Sequence, residues 1–434
     1  MKLNRRDLLK MASGAPAAWL LNYRALAAPF TKMVKITAIK TLGIDNTGDS
    51  CLVKIETDAG LSGYGEAGFS APAARAIIEI MKPLLIGQDP LAIERHHYMM
   101  TGMQHPHKTH IPTVGGVDMA LWDVAGKILG LPVYRMLGGP LQKEIPIYGY
   151  GTLANMLDKG ECRAWADRVK SEPEGMTAFK FTAISRGGAR PRPAGGSGAG
   201  GNAAFGELFR RPGKGGFPHS TTLDGVDFRN AAKGYMNLRE AVGDSIDIGM
   251  HCLAQFDTRS AIGLCKAIEP ADPLFIEDPL PTLYSEAWLE LKRSTRVPIL
   301  TGERVELVSG FRPYLDNQVV DVIHPDLAYS GGITACRDIA KYASLTRTHV
   351  GFHSGPSSLV QFYASLHLAA ATPNLFKVEN VLGAFRGNKE DMAQGVKPAV
   401  RNGVIAVPEG PGLGLEINED WLRSHMEKGE PWWG

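Results

Sequence analysis

The 434-residue chain is 44% hydrophobic and 21% charged, the balance of a globular protein with a sizeable core. Its formal net charge of +2 gives no electrostatic argument for nucleic acid or an anionic membrane as a partner. Five scattered cysteines (Cys51, Cys162, Cys252, Cys265 and Cys336) form no CxxC, so neither a zinc site nor a disulfide framework is indicated.

The N-terminus carries paired arginines, Arg5 and Arg6, in "NRRDLLK". A short apolar run and a small-residue "ALAAP" follow, ending near Ala28. The pattern resembles a twin-arginine export signal over residues 1–28, which implies a periplasmic destination. The alternative is a short amphipathic helix on a cytoplasmic protein. No run here or later is long and uninterrupted enough to span a bilayer.

From Val34 to about Gly68 the segments "VKITAIKTLGI" and "SCLVKIETDAG" are strand-like and separated by turn residues. Helical periodicity follows in "APAARAIIEIMKPLLIG" and "GGVDMALWDVAGKILG", where Val117, Leu121, Val124 and Ile128 share a face. Residues 33–140 therefore read as an α+β domain. The motif "GYGEAG", Gly63 to Gly68, matches GxGxxG. A dinucleotide site needs a parallel strand soon afterwards. None follows for about eighty residues, so a turn is expected instead.

After Gly139 the pattern becomes a regular alternation. Strands are expected at 145–151, 177–183, 246–251, 273–279, 298–303, 319–326, 349–354 and 376–381, with amphipathic helices between most of them. Eight such strands favour an α/β fold of the closed (β/α)8 type over residues 141–390. The Gly/Pro/Arg-rich segment 186–222 breaks the rhythm. It reads as a loop over the C-terminal face, either a lid or a tolerated insertion. Residues 391–434 do not continue the repeat and are expected to return to the first domain.

Ionisable residues stand at six successive strand ends: His251, Glu277, Glu303, Asp326, His353 and Glu379. Their separations of 26, 26, 23, 27 and 26 residues are each about one βα unit. A barrel gathers them around one mouth. Acids crowded there need a compensating cation, and a hard divalent metal is the simplest.

Together with "GVDMALWDVAGK", "LFIEDPL", "PILTGER", "HPDLAYSGGIT" and "FHSGPSS", these residues make the chain resemble the enolase superfamily. The likeness is to its mandelate racemase-like group, which includes acid-sugar dehydratases of the galactonate or mannonate type. It implies a modified (β/α)8 barrel, (β/α)7β, under an N-terminal α+β capping domain. It also implies Mg²⁺ on acids of three neighbouring strands, and removal of a proton α to a carboxylate. Glu277 and Glu303 match two metal ligands. Asp326 and His353 match an Asp–His dyad in which the imidazole is the base. Glu379 matches an acid that hydrogen-bonds the substrate carboxylate. His105 and His107, with His110, fall where the family has specificity loops, and Arg304 beside Glu303 is a further candidate substrate contact. Metal binding by the three histidines is the other reading of that loop.

Two positions depart from the pattern. His251 stands where most of the family has an Asp ligand, and Leu253 where some dehydratases have a second catalytic histidine. Imidazole suits Mn²⁺, Fe²⁺ or Zn²⁺ better than Mg²⁺. Alternatively, His251 is an acid/base group, or the metal site is weakened. Of the family's Lys-x-Lys pair only Lys180 remains, with Thr182 in the second place. Lys180 is a candidate acid/base residue or a structural cation.

The leading expectation is a hydro-lyase acting on an acid sugar, in carbohydrate acid catabolism. The alternatives are a racemase or epimerase of a hydroxy acid, and a sugar-acid binder that has lost turnover. A homo-oligomer, dimer or octamer, is implied by the resemblance.

Overall fold

The computed structural model describes residues 33–45, 50–102, 110–153, 155–182, 222–354, 359–380, 389–394 and 397–433. The export-signal segment, His105, His107 and all of the Gly/Pro/Arg-rich insertion but Thr222 lie outside these residues.

Three strands, β1 (Ile36–Leu42), β2 (Cys51–Thr57) and β3 (Ser62–Ala67), form an antiparallel meander. The helix Ile111–Leu129 lies across it. The periodic stripe understates this helix, because residues 111–126 are all buried. One side meets β3. The other meets the barrel helix Gly332–Leu345, where Trp122 donates to Thr334 at 2.9 Å and the Asp118 carboxylate accepts from Thr334 N and Oγ1. The glycines of "GYGEAG" explain themselves here. A Cβ on Gly63 would meet the Ala120 carbonyl at 2.2 Å, and one on Gly65 the Gly116 carbonyl at 1.9 Å. The segment is a strand and not the expected turn, and its glycines permit strand and helix backbones to touch.

The barrel closes from eight parallel strands: β4 (Glu144–Tyr150), β5 (Ala178–Thr182), β6 (Asp247–His251), β7 (Ile276–Glu277), β8 (Ile299–Thr301), β9 (Val322–Ile323), β10 (His349–Phe352) and β11 (Leu375–Glu379). Each pairs with the next, and β11 pairs back to β4. Among the described residues the first seven are each followed by a helix, the (β/α)7β arrangement. Val, Ile and Phe dominate these short strands because both faces are covered. Inside, Tyr148, Ala178, Phe275, Leu300 and Val322 pack with Phe376 as a separate apolar layer. That plug is the floor beneath the C-terminal mouth.

The expected return of residues 391–434 to the first domain holds for part of the segment, since some of it packs on the barrel. β13 (Val400–Arg401) and β14 (Val404–Ala406) form a hairpin on the outer end of β4, and β12 (Ala393–Gln394) pairs with β15 (Glu416–Ile417). On the first domain, Leu413 N donates to Asp123, Arg75 pairs with Glu430 at 2.6 Å, and Trp433 packs beside Tyr64.

Candidate active site

Strand register sets the height of each side chain. His251 pairs with Glu277 across β6 and β7, and Glu379 with Tyr148 across β11 and β4. Glu303, Asp326 and His353 follow just beyond their strands, and an isolated parallel bridge joins Asp326 to His353. All six strand-end residues are buried around the same mouth.

One side is an ordered dyad. His353 Nδ1 lies 2.6 Å from Asp326 Oδ2. The same oxygen accepts from Gln361 Nε2 at 2.6 Å, and Asp326 Oδ1 accepts from Tyr329 N at 2.8 Å. Gln361 in turn donates its backbone N–H to Glu66 of β3, at 3.4 Å. The capping domain thus reaches the dyad through one glutamine. His353 Nε2 faces inward, 3.2 Å from Glu303 Oε2 and 3.6 Å from Glu379 Oε2. Burial opposes its protonation, but Glu379, the Asp326 hydrogen bond and Glu303 outweigh that and hold it up at about 10.

Across the mouth lies a buried cation. Lys180 Nζ is 2.9 and 3.1 Å from the two Glu277 oxygens and 2.9 Å from Glu379 Oε1. It stands over the Tyr150 ring at 4.8 Å. Burial works against its charge, yet Glu277 and Glu379 hold its pKa well above the ordinary lysine value. Lys180 is therefore a fixed ammonium, and its proton is poorly placed for transfer at neutral pH. His324 completes this region, with Nδ1 3.3 Å from Glu277 Oε1 and Nε2 2.8 Å from the Tyr148 hydroxyl.

Between the two lies a cluster of His251, Asp278 and Glu303. One ligand atom from each lies within 4.8 Å of the others. His251 Nε2 is 3.7 Å from Glu303 Oε2, 3.9 Å from Glu277 Oε1 and 4.0 Å from Asp278 Oδ2. Burial depresses the His251 pKa, which favours the neutral imidazole a metal takes. Burial and then the charges of Glu303 and Glu277 push Asp278 up to about 8. Glu303 goes the other way: burial is outweighed by His251 and His353, and it falls to about 2. His251 Nε2 and Asp278 Oδ2 are buried without a hydrogen-bond partner. Orphaned donor atoms facing a crowd of acids fit a divalent cation.

Of the other expected contacts, Arg304 Nε donates to Glu303 at 3.0 Å from a half-exposed position at the rim. His110 caps the helix Ile111–Leu129 and its Nε2 bonds the Met100 carbonyl at 3.0 Å. Leu253 has left the strand in a left-handed conformation, φ 57°. Asp278, His324, Tyr148, Gln361 and Glu66 join the site without being strand-end candidates by spacing. His324 carries a sequence signal of its own, two residues before Asp326.

Comparison with known proteins agrees with this geometry. Residues 30–138 match the mandelate racemase / muconate lactonizing enzyme N-terminal domain, and residues 163–421 match the enolase C-terminal domain-like family. The chain is 32% identical over 401 residues to the D-xylonate dehydratase of Haloferax volcanii, covering 91% of this chain and 90% of that one. It is 28% identical over 388 residues to the D-galactonate dehydratase of Ralstonia pickettii, covering 88% and 92%. Among solved structures, a mandelate racemase/muconate lactonizing enzyme-like protein from Rubrobacter xylanophilus superposes with a TM-score of 0.80 at 27% identity, covering 93% of this chain and 100% of that one. Two domains matched in order, a closed (β/α)7β barrel and an Asp–His dyad at its mouth place the chain in the enolase superfamily, in its mandelate racemase-like group.

Proposed function

We propose that the chain is an acid-sugar dehydratase that uses His353 as its single proton-transfer base. The observation that carries this reading is the one-sidedness of the mouth. Among the described residues of the mouth, His353 turns Nε2 inward while a carboxylate holds its other nitrogen. Across the mouth stands a lysine locked between two glutamates, and position 253 carries an aliphatic leucine. Inverting a stereocentre needs a base on each face of the carbon, whereas dehydration needs one group that takes a proton and returns it.

In this mechanism His353 Nε2 removes the α-proton of a polyhydroxy carboxylate. Asp326 fixes the tautomer and stabilises the imidazolium that results. The C–O bond to the β-hydroxyl then breaks, His353 returns the proton, and water leaves. The product enol tautomerises to a 2-keto-3-deoxy acid. Glu379, bridged to Lys180, lines the wall a substrate carboxylate would face. His251 and Glu303, with an acid of the Glu277–Asp278 pair, would hold a divalent metal. When bound, the ion supplies positive charge against which a carboxylate can lose its α-proton, and it cancels part of the field that keeps His353 protonated. The imidazole in the donor set favours Mn²⁺, Fe²⁺ or Zn²⁺ over Mg²⁺.

The names of the relatives supply the first substrates to try: D-xylonate, D-gluconate and D-galactonate. Proton NMR in D2O with Mg²⁺ or Mn²⁺ tests the reading. Loss of the α-proton signal with new 3-deoxy resonances supports it. Exchange without elimination points to an epimerase. No exchange with any acid or metal points to a binding protein. The arginine pair at the N-terminus supports export, with a periplasmic site of action, and subcellular fractionation tests that. Assembly as a homo-oligomer is a further expectation for light scattering.

A further inference from the structure

We infer that Glu66, on the capping strand β3, is a positioning residue for the base His353 and acts through Gln361 and Asp326. This rests on the reading above that His353 is the proton-transfer base, and it gives the capping domain a part in the chemistry. Burying a carboxylate between two domains is costly unless its charge or its oxygens are used there. Glu66 is fully buried on β3, where it pairs with Leu52 of β2. Ser50 Oγ donates to its Oε1 at 3.0 Å, which sets how the carboxylate is turned. Oε2 faces Gln361 N at 3.4 Å, in the first turn of the helix Leu359–Ala370. That is long for a hydrogen bond, so negative charge beside the first turn of a helix contributes as well. The side chain of Gln361 points to the dyad. Its Nε2 donates to Asp326 Oδ2 at 2.6 Å and to the His353 carbonyl at 3.3 Å. Glu66 thus holds the main chain of the residue whose side chain holds the dyad.

The interface leaves this path little slack. Next to Glu66, a Cβ on Gly116 of the helix Ile111–Leu129 would lie 2.7 Å from Ala67 N. One residue earlier on that helix, a Cβ on Gly115 would meet the Ala328 carbonyl at 2.2 Å. Ala328 belongs to the loop that follows Asp326. The next residue, Tyr329, gives its N–H to Asp326 Oδ1 at 2.8 Å. The Tyr329 ring lies against Gly68, just past β3, where a Cβ would meet it at 2.7 Å. Both oxygens of Asp326 are therefore held by residues seated on the capping domain. Close-packed interiors transmit displacement, so a shift at β3 is passed to the carboxylate that orients the base.

The test follows two readouts in the full-length protein. One is turnover of an acid sugar. The other is the proton NMR resonance of His353 Nδ1–H, which reports its bond to Asp326 without any turnover. Glu66→Leu should lower kcat about fivefold with KM nearly unchanged, and should shift or broaden that resonance. Glu66→Gln, which keeps an oxygen for Gln361 N, should recover most of both. Glu66→Asp keeps the charge but draws it back by one methylene. It should act as a milder Glu66→Leu, and it decides the matter if Glu66→Leu does not fold. Trp122→Phe breaks a different contact between the same domains and should leave both readouts as they are. Because Glu66 acts through Gln361, adding Glu66→Leu to Gln361→Leu should cost no further activity. Losses that multiply in the double variant overturn the positioning role. So do unchanged kcat and resonance in a folded Glu66 variant, and so does absence of the resonance from the unaltered protein. A resonance moved by Glu66→Leu in a protein that turns over no acid sugar keeps the positioning role and removes the dehydratase reading.

Discussion

The two sides of the barrel mouth are built on opposite principles. On the dyad side, Asp326 uses both oxygens, accepting from Tyr329, Gln361 and His353. On the β6–β7 side, His251 Nε2 and Asp278 Oδ2 make no hydrogen bond. A saturated network fixes one geometry, which proton transfer requires. An unsaturated, charged pocket stores the demand for a ligand. The first side therefore admits one arrangement of its atoms, whereas the second can adjust to what binds it.

Removing the base should break the ordered side with the largest effect. His353→Asn is expected to lower α-proton exchange by about 10²–10⁴ while Mn²⁺ binding survives. Unchanged exchange, read by NMR in D2O, would remove His353 from the role. Next comes the ion pair beneath the pocket. Lys180→Met leaves two buried carboxylates facing each other and should cost about 3–5 kcal/mol in denaturant unfolding. A stable Lys180→Met protein would mean that the acids there are protonated. Gln361→Leu sharpens the comparison by loosening the dyad without touching its members. A roughly tenfold fall in kcat with little change in KM is expected, since Gln361 acts through Asp326. A change in KM alone would place it in substrate binding. The smallest effect is at Leu253, where Asn accepts the left-handed backbone more readily. Leu253→Asn should raise stability by up to about 1 kcal/mol in thermal melts. A loss would show that Leu253 packing outweighs its strain.

Much of this was legible in the chain itself. Eight apolar segments, spaced by amphipathic helices, marked the eight strands, because buried parallel strands leave that signature. Ionisable residues one βα unit apart marked the mouth, and all six converge on it. The spacing argument took one residue per strand, however, and so passed over His324, two residues before Asp326. Asp278 was hidden because alternation sends it away from Glu277; only a left-handed φ returns it. Glu66 and Gln361 had no local signal, since their meeting depends on how two domains pack. The helix Ile111–Leu129 shows one periodic stripe in sequence, although both its faces are buried, because its second face serves that same interface.

The run of residues 413–433 along the first domain bears on how the molecule is assembled. Glu430 reaches Arg75 across 355 positions of sequence, and Trp433 covers Tyr64. Those contacts cannot form until nearly the whole barrel has emerged from the ribosome. The meander can pack on the helix Ile111–Leu129 early, but its contacts with residues 413–433 must wait for the barrel between them. Closure of so long a loop is slow, and an unsealed sheet edge is prone to stray pairing. The first domain is thus completed from both sides of the barrel in sequence, and a variant cut before residue 413 should be a better chaperone client than the intact chain.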